Sequence, residues 1–189
     1  MPETPSIHPT SILTNCTLGN AISIGPFCFL SDTHISDNVE LEGNILIEKS
    51  TLKNDVQILW GSIIRESILE EGCVIGCEVK KSHLGKYTKA KHPWTSIIST
   101  KTGEKVNFWG GAKCANYDGT GKGTFVIGDQ VFLWCNSVLS AKAGKVTTIH
   151  TGTKIGANVH ISHDIPANSL VYLDRETGKT TIREGYYQN

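Results

Sequence analysis

One ladder of aliphatic residues constrains this chain more than any other feature. Ile7, Leu13, Leu18, Ile24, Leu30, Ile35, Leu41, Ile47, Leu52, Ile58, Ile64, Leu69 and Ile75 follow one another in steps of six, five and six, repeated without exception. The super-period is 17 residues: three near-hexads with one residue removed at the same place each time. Neither the 3.6-residue period of a helix nor the two-residue alternation of a plain strand produces that spacing. A flat-sided coil does. Three short strands per turn point one aliphatic residue per side into a narrow triangular prism, and successive turns stack ~4.8 Å apart through parallel backbone hydrogen bonds.

Small or β-branched residues four places after an aliphatic, such as Val39, Thr51, Val56, Ser62 and Cys73, suit a tight second interior position. Gly, Asn and Asp near the corners, in LGN, IGP and SDN, suit bends that need an unusual φ. The spacing returns in Ile127, Leu133 and Leu139 and again in Ile149, Ile155 and Ile161. Between the two ladders lie Leu84-Gly85 and the six-spaced Thr102, Phe108 and Cys114. Residues 112–124, AKCANYDGTGKGT, break the count, which predicts one protruding loop near 115–124. Irregular loops on a rigid scaffold are where function is placed. The hexads end after HDIPANSL. The expectation is an all-β parallel prism of roughly nine turns, spanning residues 1–168, with a short tail over 169–189 that caps strand edges otherwise left unpaired.

Lys plus Arg and Asp plus Glu number 18 each, so neither nucleic acid nor a membrane surface is an expected partner. The opening MPETPSIHPT has no basic region followed by an apolar run, and no stretch approaches the ~20 apolar residues of a bilayer span. Six scattered cysteines suit small core hydrophobes in a reducing cytoplasm better than a disulfide framework. Cys73 and Cys77 have no second pair to complete a metal site.

The hexads together with EVKKSHLGKYTKAKH, GEKVN, CANYDGTGK and VIGDQVF resemble the hexapeptide-repeat acyltransferases. Within them, residues 72–175 are similar to the C-terminal acetyltransferase half of the bacterial bifunctional enzyme of UDP-N-acetylglucosamine biosynthesis. The resemblance implies a left-handed parallel β-helix; ordinary crossover rules favour the right hand. It also implies a homotrimer with sites between subunits, and acetyl transfer from acetyl-CoA to the amine of glucosamine 1-phosphate, with no metal. The LAAGxGTRM-type loop of the other half is not in this sequence, so uridylyl transfer is not expected, and a separate nucleotidyltransferase would be a candidate partner.

By that resemblance His92 in KAKHPW is the general base, a role its ordinary pKa suits. Asn116 and Tyr117 would orient the amine and thioester as the other catalytic residues, with a donor for the thioester oxyanion. Lys80, Lys122 and Arg65 would hold the phosphate, and Asn107 and Thr95 the sugar. Gly110, Cys135, Thr151 and Arg175 would hold the CoA donor. For each cation the alternative is a solvated surface charge, and for His92 a surface or packing role.

Three departures stand out. Thr95 takes the place of a Tyr; Trp109 and Trp134 take the place of glycines, and Cys135 that of a serine; the turn from Leu139 to Ile149 is shorter. The indoles either reshape the donor groove or pack between subunits. Two other functions compete with acyl transfer. One is a non-catalytic β-helix scaffold with a degenerate CoA site. The other is a γ-carbonic-anhydrase-like metalloenzyme, whose His-x4-His spacing none of the seven histidines reproduces.

Overall fold

The computed structural model describes residues 5–186. The first four residues of the N-terminal stretch and the last three of the expected tail lie outside the described residues. Among the described residues, regular structure consists of 28 short strands in three sheets of 11, 9 and 8, one sheet per side of a prism. On each side a strand pairs in parallel with the strand one turn away. Gln57–Ile58, for example, lies between Glu40–Leu41 and Val74–Ile75. Ladder residues face one another in register: Ile24 with Leu41, Leu41 with Ile58, and Ile58 with Ile75. This is the left-handed parallel β-helix architecture. The first side carries about ten rungs, one more than expected, because Leu170–Leu173 still pairs in parallel with Lys154–Ile155. Thr180–Arg183 then folds back antiparallel on Leu170–Leu173. Among the described residues no helix is long and apolar enough to cross a membrane.

From Ile24 onward the expected aliphatics are buried, while Ile7, on the first rung, stays exposed. The ladder also runs unbroken where the sequence was read as a gap. Val79, Leu84, Ala90 and Ile97 are all buried between Ile75 and Thr102, in steps of four, five, six, seven and five. Ala90 and the uneven steps hid these rungs.

Val39, Val56, Ser62 and Cys73 fill the second interior position as expected, but Thr51 does not. Its neighbour Ser50 is buried instead, because the corner that lost a residue turns inward one place earlier. Thr33, Ser67, Ser82 and Thr100 stack in the same column. Their hydroxyls donate to carbonyls two residues back and accept the amide of the next turn, as in Ser67 N to Ser50 Oγ at 3.1 Å and Ser82 N to Ser67 Oγ at 3.1 Å. Buried polar groups are thereby satisfied. Corner residues adopt positive φ, among them Asn15, Asp32, Asn38, Asn44 and Asp55, which tolerate that region better than most.

All six cysteines are free. Cys28, Cys73, Cys77 and Cys114 are buried, and burial pushes the Cys73 and Cys114 thiols up to about 12. These are core residues with inert thiols. Cys16 and Cys135 are half-buried.

Candidate active site

Call the three sides of the prism first, second and third in chain order. His92 lies at the corner between the first and second sides, two residues past the interior Ala90, and is exposed. Lys89 pairs with Asn107, and Asn107 with Phe132, so His92, Gly110 and Cys135 share one column on successive rungs. A Cβ built on Gly110 would lie 3.5 Å from His92 Cβ, so the glycine leaves the imidazole room without a side-chain wall. His92 and Asn107 line a cleft of about 180 Å³ with Lys89, Lys91, Phe108 and Trp109. Trp109 leans on the imidazole with ring centroids 5.6 Å apart, and Phe132 links it to Trp134 at 6.0 and 5.5 Å. The indoles therefore form an exposed aromatic ladder that climbs away from His92, with Trp109 and Trp134 40% and 43% exposed. Such faces offer large apolar contact.

Thr95 is a correction. It is 2% exposed, and its hydroxyl donates to the carbonyl of Trp109 at 3.1 Å. It occupies the second interior position of its rung, as Ser62 does below it, and does not face a substrate. The residue at the surface of that corner is Trp94, 82% exposed with φ +63°. A bulky L-residue in that region costs about 1–2 kcal/mol.

The remaining predicted residues lie elsewhere on the molecule. At the corner between the second and third sides, Cys114 pairs with Leu139 twenty-five residues on, and Leu139 with Ile161 twenty-two on, where regular rungs are seventeen apart. Both surpluses fall at this corner, on successive turns. The first is the expected loop. Asn116 is 9% exposed and donates from Nδ2 to Ser99 Oγ at 2.9 Å. Tyr117 is 62% exposed, forms a bridge with Lys122, and donates its hydroxyl to the Gly119 carbonyl at 2.8 Å.

Asp118, which the sequence reading passed over, ties the loop together. Its Oδ1 accepts from Thr120 N, Thr120 Oγ1 and Gly121 N, and its Oδ2 accepts Ala143 N of the second surplus segment at 2.8 Å. These bonds, the one from Ala143 foremost, hold the carboxyl well below the usual carboxylate range. The signal was present in D-G-T-G, where an Asp precedes a Thr by two and a Gly by three, the pattern of a side-chain-closed turn.

Arg65 and Lys80 are register partners at the edge of the second side. Arg65 Nε pairs with Glu48 Oε2 at 2.6 Å, whereas Lys80 and Lys122 have no ion-pair partner among the described residues. Thr151 sits at the corner between the third and first sides, where its Oγ1 accepts Asp129 N, and Arg175 lies exposed in the turn before the antiparallel strand. Within one chain, then, His92, Asn107, Gly110 and Cys135 come together. Asn116, Tyr117 and Lys122 form a second group at another corner, Arg65 and Lys80 border that corner, and Thr151 and Arg175 stand apart. Among the described residues no three His, Cys, Asp or Glu side chains gather as a metal would need.

No protein-family profile matches the chain. Its architecture nevertheless matches solved acyltransferases. A UDP-N-acetylglucosamine acyltransferase from Campylobacter jejuni superposes with TM-score 0.60 at 16% identity, covering 94% of this chain and 74% of that one. The UDP-N-acetylglucosamine acyltransferase LpxA from Bacteroides fragilis gives 0.61 at 16%, covering 95% and 72%. The chain thus shares the β-helix fold of these proteins. In sequence it is similar to the bifunctional protein GlmU: 35% identical over 178 residues to that of Halalkalibacterium halodurans, covering 92% of this chain and 38% of the relative. To that of Baumannia cicadellinicola it is 34% identical over 158 residues, covering 82% and 33%. The chain spans little more than a third of the length of these relatives.

Proposed function

We propose that this protein is an acyl-CoA-dependent N-acetyltransferase whose acceptor is an amino sugar phosphate of the glucosamine 1-phosphate kind. The observation that carries the reading is the exposed His92 in a cleft with Asn107, under a column kept open by Gly110, in a chain whose sequence relatives are GlmU proteins. In the reaction the neutral amine attacks the thioester carbonyl, a C–N bond forms, and the C–S bond breaks. The amine proton passes to the imidazole and from there to the departing CoA thiolate, so the histidine is restored. Asn107 offers a carboxamide to sugar hydroxyls. Lys80 and Lys122, with no carboxylate partner among the described residues, suit a phosphate; Arg65 would have to leave Glu48 to join them.

The loop group and the imidazole occupy different corners of one prism, so the reading includes a homotrimer in which the Asn116–Lys122 loop of one copy reaches the His92 cleft of another. Gly110, Cys135, Thr151 and Arg175 would hold the donor along the upper rungs, and a cytoplasmic setting supplies both substrates. The decisive experiment follows release of free CoA thiol with acetyl-CoA and a panel of amino sugars and their phosphates. Turnover with glucosamine 1-phosphate is expected, and no turnover with any pair would overturn the reading.

Trp109 and Trp134 support a second reading, a scaffold whose donor groove is filled by indoles. Calorimetry with acetyl-CoA separates the two: binding heat accompanies the enzyme, and none at millimolar ligand accompanies the scaffold.

A further inference from the structure

Between Ile75 and Val79 the ladder takes its shortest step at the first–second corner, four residues instead of six. The clipped corner consists of Gly76 and Cys77, both buried, so this rung projects nothing outward. A side chain at 76 would collide with the Lys91 carbonyl, 2.5 Å from its Cβ, which keeps the recess bare. The rungs on either side carry Trp60 and Trp94 at the same corner, two rung spacings or about 10 Å apart. The result is a notch of about 460 Å³ walled by two indoles, in the size range of small-molecule sites.

The walls are placed rather than loose. The six-membered ring of Trp60 rests on Gly43, where a Cβ would lie 2.4 Å from Cζ3, and its backbone amide donates to Glu42 Oε2 at 2.8 Å. Trp94 holds the positive φ that corner residues of this coil adopt, as Phe27 does at the same corner of a lower rung, and its indole is presented to solvent. The side of the notch is polar. Glu78 accepts the Ser96 hydroxyl at 3.1 Å, and Lys113 stands on the same lining.

Two indoles lining one notch, with a carboxylate, a hydroxyl and an ammonium beside them, match the two chemistries of a pyranose. Its C–H faces stack on aromatic rings, and its hydroxyls ring the edge as donors and acceptors. We propose that this notch is a saccharide subsite, in which Trp60 and Trp94 hold a sugar ring and Glu78, Ser96 and Lys113 bond its hydroxyls. It adjoins the His92 cleft: Pro93 on its wall follows His92 directly, and its Gly76 backs onto the Lys91 carbonyl. On the acyltransferase reading it therefore grips the acceptor, and it takes over the sugar contact that the buried Thr95 no longer makes.

Both indoles are exposed, so replacing them leaves the core intact. The test titrates N-acetylglucosamine, glucosamine 1-phosphate and chitobiose into the whole protein without acyl donor, followed by tryptophan fluorescence and calorimetry. Wild type is expected to bind at least one of these sugars. Trp94→Ala and Trp60→Ala should each weaken binding about threefold to tenfold, with Trp94→Phe largely restoring it. Lys53→Ala, an exposed change on the regular rungs, should bind as wild type does. Failure of all transfer activity with Trp-dependent sugar binding intact would sink the enzyme and leave the subsite. Alanine variants that bind sugar like wild type overturn the proposal, as does a protein indifferent to all three sugars at millimolar concentration. A fall in oligomer mass for Trp94→Ala without any sugar response also overturns it, because a second copy would then fill the notch.

Discussion

The lower rungs, from Ile24 to Leu69, and the upper rungs, from Ile75 to Ile165, are built on one plan and differ in punctuation. In the lower part every turn takes 17 residues, and the surface carries scattered apolar side chains with one carboxylate–guanidinium pair, Glu48 with Arg65. In the upper part the turns run 15, 18, 17, 25 and 22 residues, so four of five depart from the count, and every residue of the His92 cleft and of the Asp118 loop lies there. A regular coil has two kinds of position, interior and solvated. Departures from the count create the concave and overhanging places where several polar groups can meet one ligand. Stability should therefore belong to the regular rungs and chemistry to the irregular ones.

That division can be broken most sharply at His92. Changing it to Ala should lower turnover by ~10²–10⁴ while the melting temperature stays put; unaltered turnover would remove the imidazole from the mechanism. The mirror experiment is Ile47→Ala, which opens a cavity between Leu30 and Ile64 and should destabilise by about 2–5 kcal/mol in denaturant titration. Its kcat at low temperature should match wild type, and a large loss of kcat in the folded variant would erase the distinction between the two regions.

Asp118→Asn comes next. An amide that keeps its oxygen as the acceptor for Thr120 and Gly121 turns its NH2, a donor, toward the donor Ala143 N, so the two surplus segments should part. Activity should drop about tenfold to a hundredfold through misplacement of the loop, with faster amide exchange at 142–145 and no change in the exchange of Ile47. The wild-type clasp has a pH signature of fixed sign. Its folded-state carboxyl titrates below the ordinary range, so the clasp is fully formed above that range and is lost only as the pH is driven beneath it. Amide exchange at Ala143 that rose between pH 6 and 5 would contradict this. The smallest effect is expected at Glu48→Ala. Both partners of that ion pair are more than a third exposed, and removing it should shift stability by less than about 1 kcal/mol.

The core was legible because its period is arithmetic: Ile or Leu at every step of six, five and six leaves no other fold. Legibility ended where the interior residue ceased to be Ile or Leu and the steps were uneven, as at Ala90, or where a corner was clipped, as at Gly76-Cys77. Thr51 was misread for Ser50 because a trimmed corner turns one residue sooner. The resemblance picked out His92 and Asn107, and the structure sets these two in one cleft. It could not foresee that Thr95 points inward, since whether a hydroxyl at a corner faces in or out depends on how many residues that corner contains. Trp60 and Trp94 are 34 positions apart in sequence and line one notch because the rung between them is clipped.

The uneven rungs have a further bearing on how the molecule assembles. Uniform turns are interchangeable: a nascent coil shifted by one whole turn would still place Ile against Leu and hydroxyl against hydroxyl, with little to correct it. The fifteen-residue turn followed by the eighteen-residue one has a single matching position, like a notched key among blanks. Restoring two residues at 76–77 would make that stretch uniform with its neighbours, and refolding should then yield misaligned, end-frayed stacks alongside the native one.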